Sequence, residues 1–365
     1  MRISTRLGVL AALGLLVIVS GPGVKAAGGT KLRIIQNAMA GDAVAIIDPA
    51  TNKIVGQIDG IEISNGVAVS PDGARIYATG EVDKTLFIAD AKTFKVEMKV
   101  PLSGRPSALA VSKDGSRIFV GIQDVPVQAL KHGVSGVDVV DAVSLKVIKN
   151  LPLDGSHTHY VFMTRDGKYA MTTVNSGATP ADGLTLRFID VKTLEVAKKI
   201  TGEGTGGHRA CDFVPNADQS TKYVVCNQGQ FSGFVVYDFA NGKVFKKVPN
   251  PNAKSGEIVR LRNVESAQGS PSHGIAVSPD GKTIVVSDRW YNLIHVYSAL
   301  DFAHLYSIPV APDPFWFSFS PDGKTVYSSA AFSEMVSVVD LAQRKETSRI
   351  RVQNQPKRIT TAMLQ

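Results

Sequence analysis

A repeat constrains this chain more than any other feature. An apolar strand, a Pro-Asp-Gly turn or a relative of it, and a second strand recur as GVAVSPDGARIYATG from Gly66, ALAVSKDGSRIFVGI from Ala108 and YVFMTRDGKYAMTTV from Tyr160. They return as GIAVSPDGKTIVVSD from Gly274 and WFSFSPDGKTVYSSA from Trp316, with a degenerate copy, RACDFVPNADQSTKYVVCN, from Arg209. After each copy comes an apolar strand ending in Asp, a short turn and a strand opening with Lys-Val or similar. Its anchor falls at Asp48, Asp90, Asp141, Asp190, Asp238, Ser298 and Asp340.

Local chemistry explains both patterns. Asp-Gly closes a tight hairpin, because glycine accepts positive φ, and the strand-end Asp can accept hydrogen bonds from backbone amides two or three residues on. The strands are short, rich in Val and Ile, and often apolar on both faces, so each four-stranded unit must be covered on both sides. Radial stacking achieves that for repeats of roughly 40 to 50 residues. The sequence therefore predicts an all-β fold, a seven-bladed β-propeller of four-stranded antiparallel blades. Seven second signatures stand against six first ones, and the chain opens in mid-unit at Lys31. The missing innermost strand is PKRITTAML, Pro356 to Leu364, one period beyond the last Pro-Asp-Gly unit, so the C-terminus is expected to complete the N-terminal blade.

The second strands IYATG, IFVGI, YAMTT, YVVCN, IVVSD and VYSSA resemble the Tyr-Val-Thr-Asn element of YVTN-repeat propellers, whose S-P-D-G and D-x-x-T-x-K-V turns also match. The resemblance covers essentially residues 27–365 and implies the propeller fold. Such propellers include extracytoplasmic binding proteins, lactonases, quinoprotein subunits and the copper domain of nitrous-oxide reductase, so the resemblance leaves the activity open.

Residues 1–26 read as an export signal: Arg2 and Arg6, an apolar run from Leu7 to Val19, then Val24-Lys25-Ala26 before the cleavage point. Residues 27–365 then form a single propeller in the periplasm, with no membrane span after cleavage. The formal charge of +8 falls to +5 when Arg2, Arg6 and Lys25 leave, and no basic run follows, which argues against a nucleic-acid partner. Cys211 and Cys226 fall on neighbouring strands of one hairpin, which makes them a disulfide candidate in an oxidising compartment, with two inert buried thiols or a reactive thiol as the alternatives.

Loop lengths point to one face. Gln123 to Gly136, Asn175 to Gly183 and Pro249 to Ser272 all emerge where the innermost strands begin, the usual place for binding on a rigid scaffold. Seven residues before each turn Asp stand Asn65, Ser107, His159, His273 and Phe315, with Arg209 and its neighbour His208 in the degenerate copy. His157 lies two residues before His159. Imidazoles converging from separate strands are suitable ligands for a copper or zinc ion, and His157, His159, His208 and His273 form the candidate metal set, with a copper ion as the cofactor implied. Nitrous-oxide reductase is similar in drawing copper ligands from innermost strands, although its histidine set is larger. Taken singly, each histidine reads as a hydrated channel residue.

Arg209, Arg289, Trp290, Asp288 and Asn227 are the candidate ligand-binding residues at the same rim, beside Glu81, Asp83, Gln123, Asn175 and Gln228. Arg105, Arg209 and Arg289 could each grip a carboxylate. Marks of a phosphate loop, covalent haem, a zinc-protease helix or a serine nucleophile elbow are absent, and no catalytic residue is assigned. Three readings follow: a binding scaffold for a small-molecule ligand or exported protein partner, a copper oxidoreductase, and a lactone hydrolase.

Overall fold

The computed structural model describes residues 29–123, 135–153, 158–174, 185–202, 207–229, 231–252 and 270–365. Every extended element among them is a β-strand, arranged as seven four-stranded antiparallel sheets. Each sheet is one blade, and the innermost strands touch their neighbours in succession until the ring closes. Those of blades 2 to 7 are Ser64–Val69, Arg105–Val111, Thr158–Met163, His208–Pro215, Ile275–Val277 and Pro314–Phe319. Blade 1 is built from Lys31–Ala38, Ala43–Asp48 and Lys53–Asp59, and its innermost strand is the chain's last, Pro356–Leu364. The expected closure is therefore present. Ile34 lies opposite Thr361 and Ile35 opposite Thr360. Among the described residues no helix is long and apolar enough to cross a membrane.

The two turn signatures act as inferred. In blade 2 the Asp72 carboxylate accepts the Ser70 hydroxyl and the Ala74 N–H, while Gly73 holds φ at 71°. Ser112-Asp114-Gly115, Ser278-Asp280-Gly281 and Ser320-Asp322-Gly323 repeat the arrangement. In the second signature the Asp90 carboxylate accepts the N–H groups of Lys92 and Thr93 together with the Thr93 hydroxyl. Four residues after its anchor that turn takes positive φ, at Asn52, Phe94, Leu145, Leu194, Gly242, Phe302 and Arg344. Only one of these is glycine. A side chain there costs about 1 kcal/mol or more of backbone strain, and Phe94, Leu145, Leu194 and Phe302 offset it by packing into the core between blades.

Burial between blades supplies most of the stability. Ile76, Phe119, Phe188, Val225, Val285 and Val326 are fully buried, and each such side chain contributes about 1.5–3 kcal/mol. Cys211 and Cys226 sit directly opposite each other on adjacent strands of blade 5 and form a disulfide. Their sequence separation of 15 limits the entropic gain to about 3 kcal/mol.

Two predictions follow from the turns. Gly73 and Gly60 both hold positive φ, but a Cβ on Gly73 would strike the Met363 carbonyl of the closing strand, whereas one on Gly60 meets nothing within 4 Å. Gly60→Ala should therefore lower the unfolding free energy by about 1 kcal/mol and Gly73→Ala by at least about twice that, measured by urea denaturation. Equal losses would mean that the contact with the last strand carries no energy. The second concerns acid. The Ser112 hydroxyl and the Ser116 N–H hold the Asp114 carboxyl down to about 2, and similar donors lower Asp72, Asp90, Asp141, Asp190, Asp280, Asp322 and Asp340. Because the folded values lie below the unfolded ones, their contribution is complete above the ordinary carboxylate value and lost as pH falls through the folded values. The Tm should fall steeply from about pH 4 to about pH 2, and Ser112→Ala should make that slope shallower.

Candidate functional site

Innermost strands all run in one direction, so equal distances from the turn define layers around the axis. The layer seven residues before the turn contains Asn65, Ser107, His159, Arg209, His273 and Phe315, and the period places Lys357 in blade 1. At this mouth a chain of polar contacts joins three blades. Lys357 Nζ donates to Asn65 Oδ1 at 3.0 Å, and the Asn65 amide donates to the Glu81 carboxylate. Glu81 Oε2 pairs with Arg105 Nε at 3.2 Å, and Arg105 Nη2 donates to Gln123 Oε1 at 3.2 Å.

His159 joins the same rim. The Ser107 hydroxyl donates to the His159 carbonyl oxygen, and its oxygen lies 2.9 Å from His159 Nδ1. One hydroxyl has one proton to give, so Nδ1 carries the imidazole hydrogen and donates to Ser107. The next described histidine has a different role. The His273 ring stacks on Phe315 with centroids 3.9 Å apart, and its Nε2 faces the Tyr160 hydroxyl at 3.5 Å. Arg289 lies over the same Phe315 ring and binds Asp313 at 2.6 Å. Burial raises the Asp313 carboxyl, and the Arg289 charge opposes that shift.

One residue deeper, the layer reads Gly66, Ala108, Tyr160, Ala210, Gly274, Trp316 and Arg358. A Cβ on Gly66 or Gly274 would meet the backbone of the next blade, at the carbonyl oxygens of Ser107 and Phe315. Small residues in four blades leave room for three large ones. The Arg358 guanidinium stands 4.7 Å from the ring centroids of both Tyr160 and Trp316. Burial pulls its pKa down to about 10, while Tyr160 and Glu81 pull the other way, so the group stays charged at neutral pH. A buried cation-aromatic sandwich thus blocks the axis.

The residues expected at the rim divide into two groups. His273 and Arg289 both lie against the Phe315 ring, and His159 contacts Ser107 in the same layer. Asp288, 1 % exposed, instead accepts the N–H groups of Trp290 and Tyr291 and meets His295 Nε2 at 3.2 Å, so it holds its own blade together. Asn227 is likewise enclosed, and its amide donates to the Gly233 carbonyl. Trp290 is half-buried in the turn that Asp288 caps. His208 and Arg209 open the innermost strand of blade 5, but their side chains lie outside the described residues, as do His157 and nearly all of the three long loops. Among the described residues no group of three or more His, Cys, Asp or Glu side chains is placed to hold a metal ion. The two described histidines of the proposed copper set are engaged with Ser107 and with Phe315. Sequence reasoning missed Lys357, Arg358, Tyr160 and Trp316; counting one period beyond Phe315 and Trp316 would have placed the two cations at the axis.

Comparisons with known proteins agree with this architecture. No curated protein sequence matches the chain. Among solved structures, a Kuenenia stuttgartiensis hydrazine synthase chain is similar at a TM-score of 0.66 and 17% identity, covering 82% of this chain and 89% of the other. A functionally unknown protein from Desulfotomaculum acetoxidans gives 0.68 and 12%, covering 92% and 99%. The dihydro-heme d1 dehydrogenase NirN, in complex with DHE, gives 0.59 and 17%, covering 87% of this chain and 63% of that one. At these identities the likeness shows the fold. A family model described as lactonase, seven-bladed beta-propeller, matches residues 47–356. With most of its length matched and all seven sheets in place, the chain belongs to the lactonase family of seven-bladed β-propellers.

Proposed function

We propose that the chain is an exported ligand-binding propeller, acting in the periplasm, whose site is the polar mouth where the innermost strands begin. The observation that carries this reading is the run of contacts from Lys357 through Asn65, Glu81 and Arg105 to Gln123. Charged and amide groups are gathered at the axis, on the face from which the long loops leave, and a rigid ring holds them in place. Residues 1–26 supply the export reading. An exported protein partner would use the same face.

Lactone hydrolysis is the second reading, and the family match favours it. The mouth holds the groups such a reaction needs. A carboxylate, Glu81, can take a proton from water, the Arg105 guanidinium can polarise an ester carbonyl, and the His159 ring can pass the proton on. The Glu81–Arg105 pair is only partly buried, with side chains 13% and 44% exposed, so a substrate oxygen can replace one of its contacts.

Two measurements separate the readings. Native mass spectrometry of the protein isolated from exported extracts should show a retained small molecule, and Arg105→Gln should reduce its occupancy by about tenfold. Equal occupancy in the variant would remove the mouth as the site. Incubated with a sugar-acid δ-lactone at neutral pH, the protein should release acid faster than buffer if the second reading holds, and Glu81→Gln should slow it by about 100-fold or more. A wild-type rate equal to that of buffer eliminates the hydrolase.

A further inference from the structure

On the turn side of the Tyr160–Arg358–Trp316 layer the axis is not filled. A cavity of about 240 Å³ lies there, lined from all seven innermost strands. Its wall mixes polar and apolar surface: Val67, Leu109, Val161, Ile275, Phe317 and Ile359 each come from a different blade, beside Asp212, Thr360 and Arg358. Arg358 and Trp316 form its inner end. Three observations bear on its use.

Arg358 is 8% exposed, and among the described residues its Nε and Nη2 have no hydrogen-bond partner. These two atoms share one edge of the guanidinium fork, the edge that meets both oxygens of a carboxylate at once. The indole Nε1 of Trp316, buried at the same end, is also without an acceptor among the described residues. Glu81 acts on this charge through space, but among the described residues no carboxylate is bonded to it, and a buried charge without a bonded partner is expensive. One carboxyl stands in the wall, Asp212, and it is already occupied: its oxygens accept the N–H groups of Phe213 and Val277 at 2.7 Å. Arg165, whose charge acts on Asp212, donates to the carbonyls of Val277, Ser278 and Pro279. No anion among the described groups is therefore bonded to the free edge of Arg358.

We infer that this cavity is a second binding site, separate from the mouth, for a compact organic monocarboxylate that pairs with the Arg358 guanidinium and sets its apolar body against the aliphatic and aromatic side chains of the wall. The ligand is small, since the volume is below the roughly 300 Å³ at which drug-sized sites begin. Its carboxylate supplies the bonded counter-charge that Arg358 lacks among the described residues. An uncharged apolar molecule of the same shape would gain the wall contacts and leave the guanidinium edge unpaired, so charge sets the selectivity.

Saturation-transfer NMR and thermal shift on the purified full-length chain test this, with benzoate as the probe and benzamide as its neutral isostere. Benzoate should give a transfer signal and raise the Tm, and benzamide should bind about tenfold or more weakly. Arg358→Met keeps the volume and removes the charge. Its Tm without probe should equal or exceed that of the parent chain, and its benzoate affinity should fall by about tenfold or more. Arg105→Gln, at the opposite mouth, should leave benzoate binding unchanged. The inference is overturned if benzoate and benzamide bind alike, if a folded Arg358→Met binds benzoate as the parent does, if Arg105→Gln abolishes binding, or if benzoate fails to bind at about 10 mM.

Discussion

The pairing of Lys31–Ala38 with Pro356–Leu364 is the contact on which everything else depends. Six blades are complete within contiguous stretches of chain, but stacked in a row they would leave two apolar faces open to water. Joining the two ends in one sheet removes both faces at once. The last strand is also tied to its neighbours on each side: the Thr361 hydroxyl donates to the Phe319 carbonyl in blade 7, and the Gln365 N–H donates to the Gly73 carbonyl in blade 2. Within blade 1, the Gln36 side chain donates to the Arg358 carbonyl, and the Arg358 N–H donates to Asn37.

Ring geometry converts sequence distance into spatial proximity. Tyr160, Trp316 and Arg358 belong to three different blades, yet each occupies the same height on its innermost strand, and so they meet at the axis. What one blade contributes at that height is limited by the others. Glycine or alanine in four blades makes the sandwich sterically feasible, and a fourth large side chain would have no place to go. The channel is therefore divided into a polar mouth and a second chamber of mixed lining by one layer of side chains.

The fold was legible because its signals are local. Ser-x-Asp-Gly and the strand-end Asp bond within their own turns, so a short window of sequence carries the whole instruction, and the repeat count implied the closing strand. The site was legible only in part. His159 and His273 stood out because the turn Asp gave them a register and histidine is rare. Arg358 lies in Pro-Lys-Arg-Ile-Thr, whose height on the axis has to be counted from the preceding repeat, and its meaning depends on two aromatic residues far away in sequence. Asp288 and Asn227 misled for the opposite reason. Each ends or nearly ends a second strand, where a polar residue looks like part of an open rim, whereas the first is turned inward by His295 and the second by the Gly233 carbonyl.

Lys357 and Arg358 both belong to the final nine-residue strand, which gives the closure a kinetic meaning. In sequence both axial cations follow every other strand of the ring, so a ring whose first blade is not yet completed lacks the charge at its centre. Occupancy of either axial compartment would then report a finished ring, coupling recognition to the completion of folding.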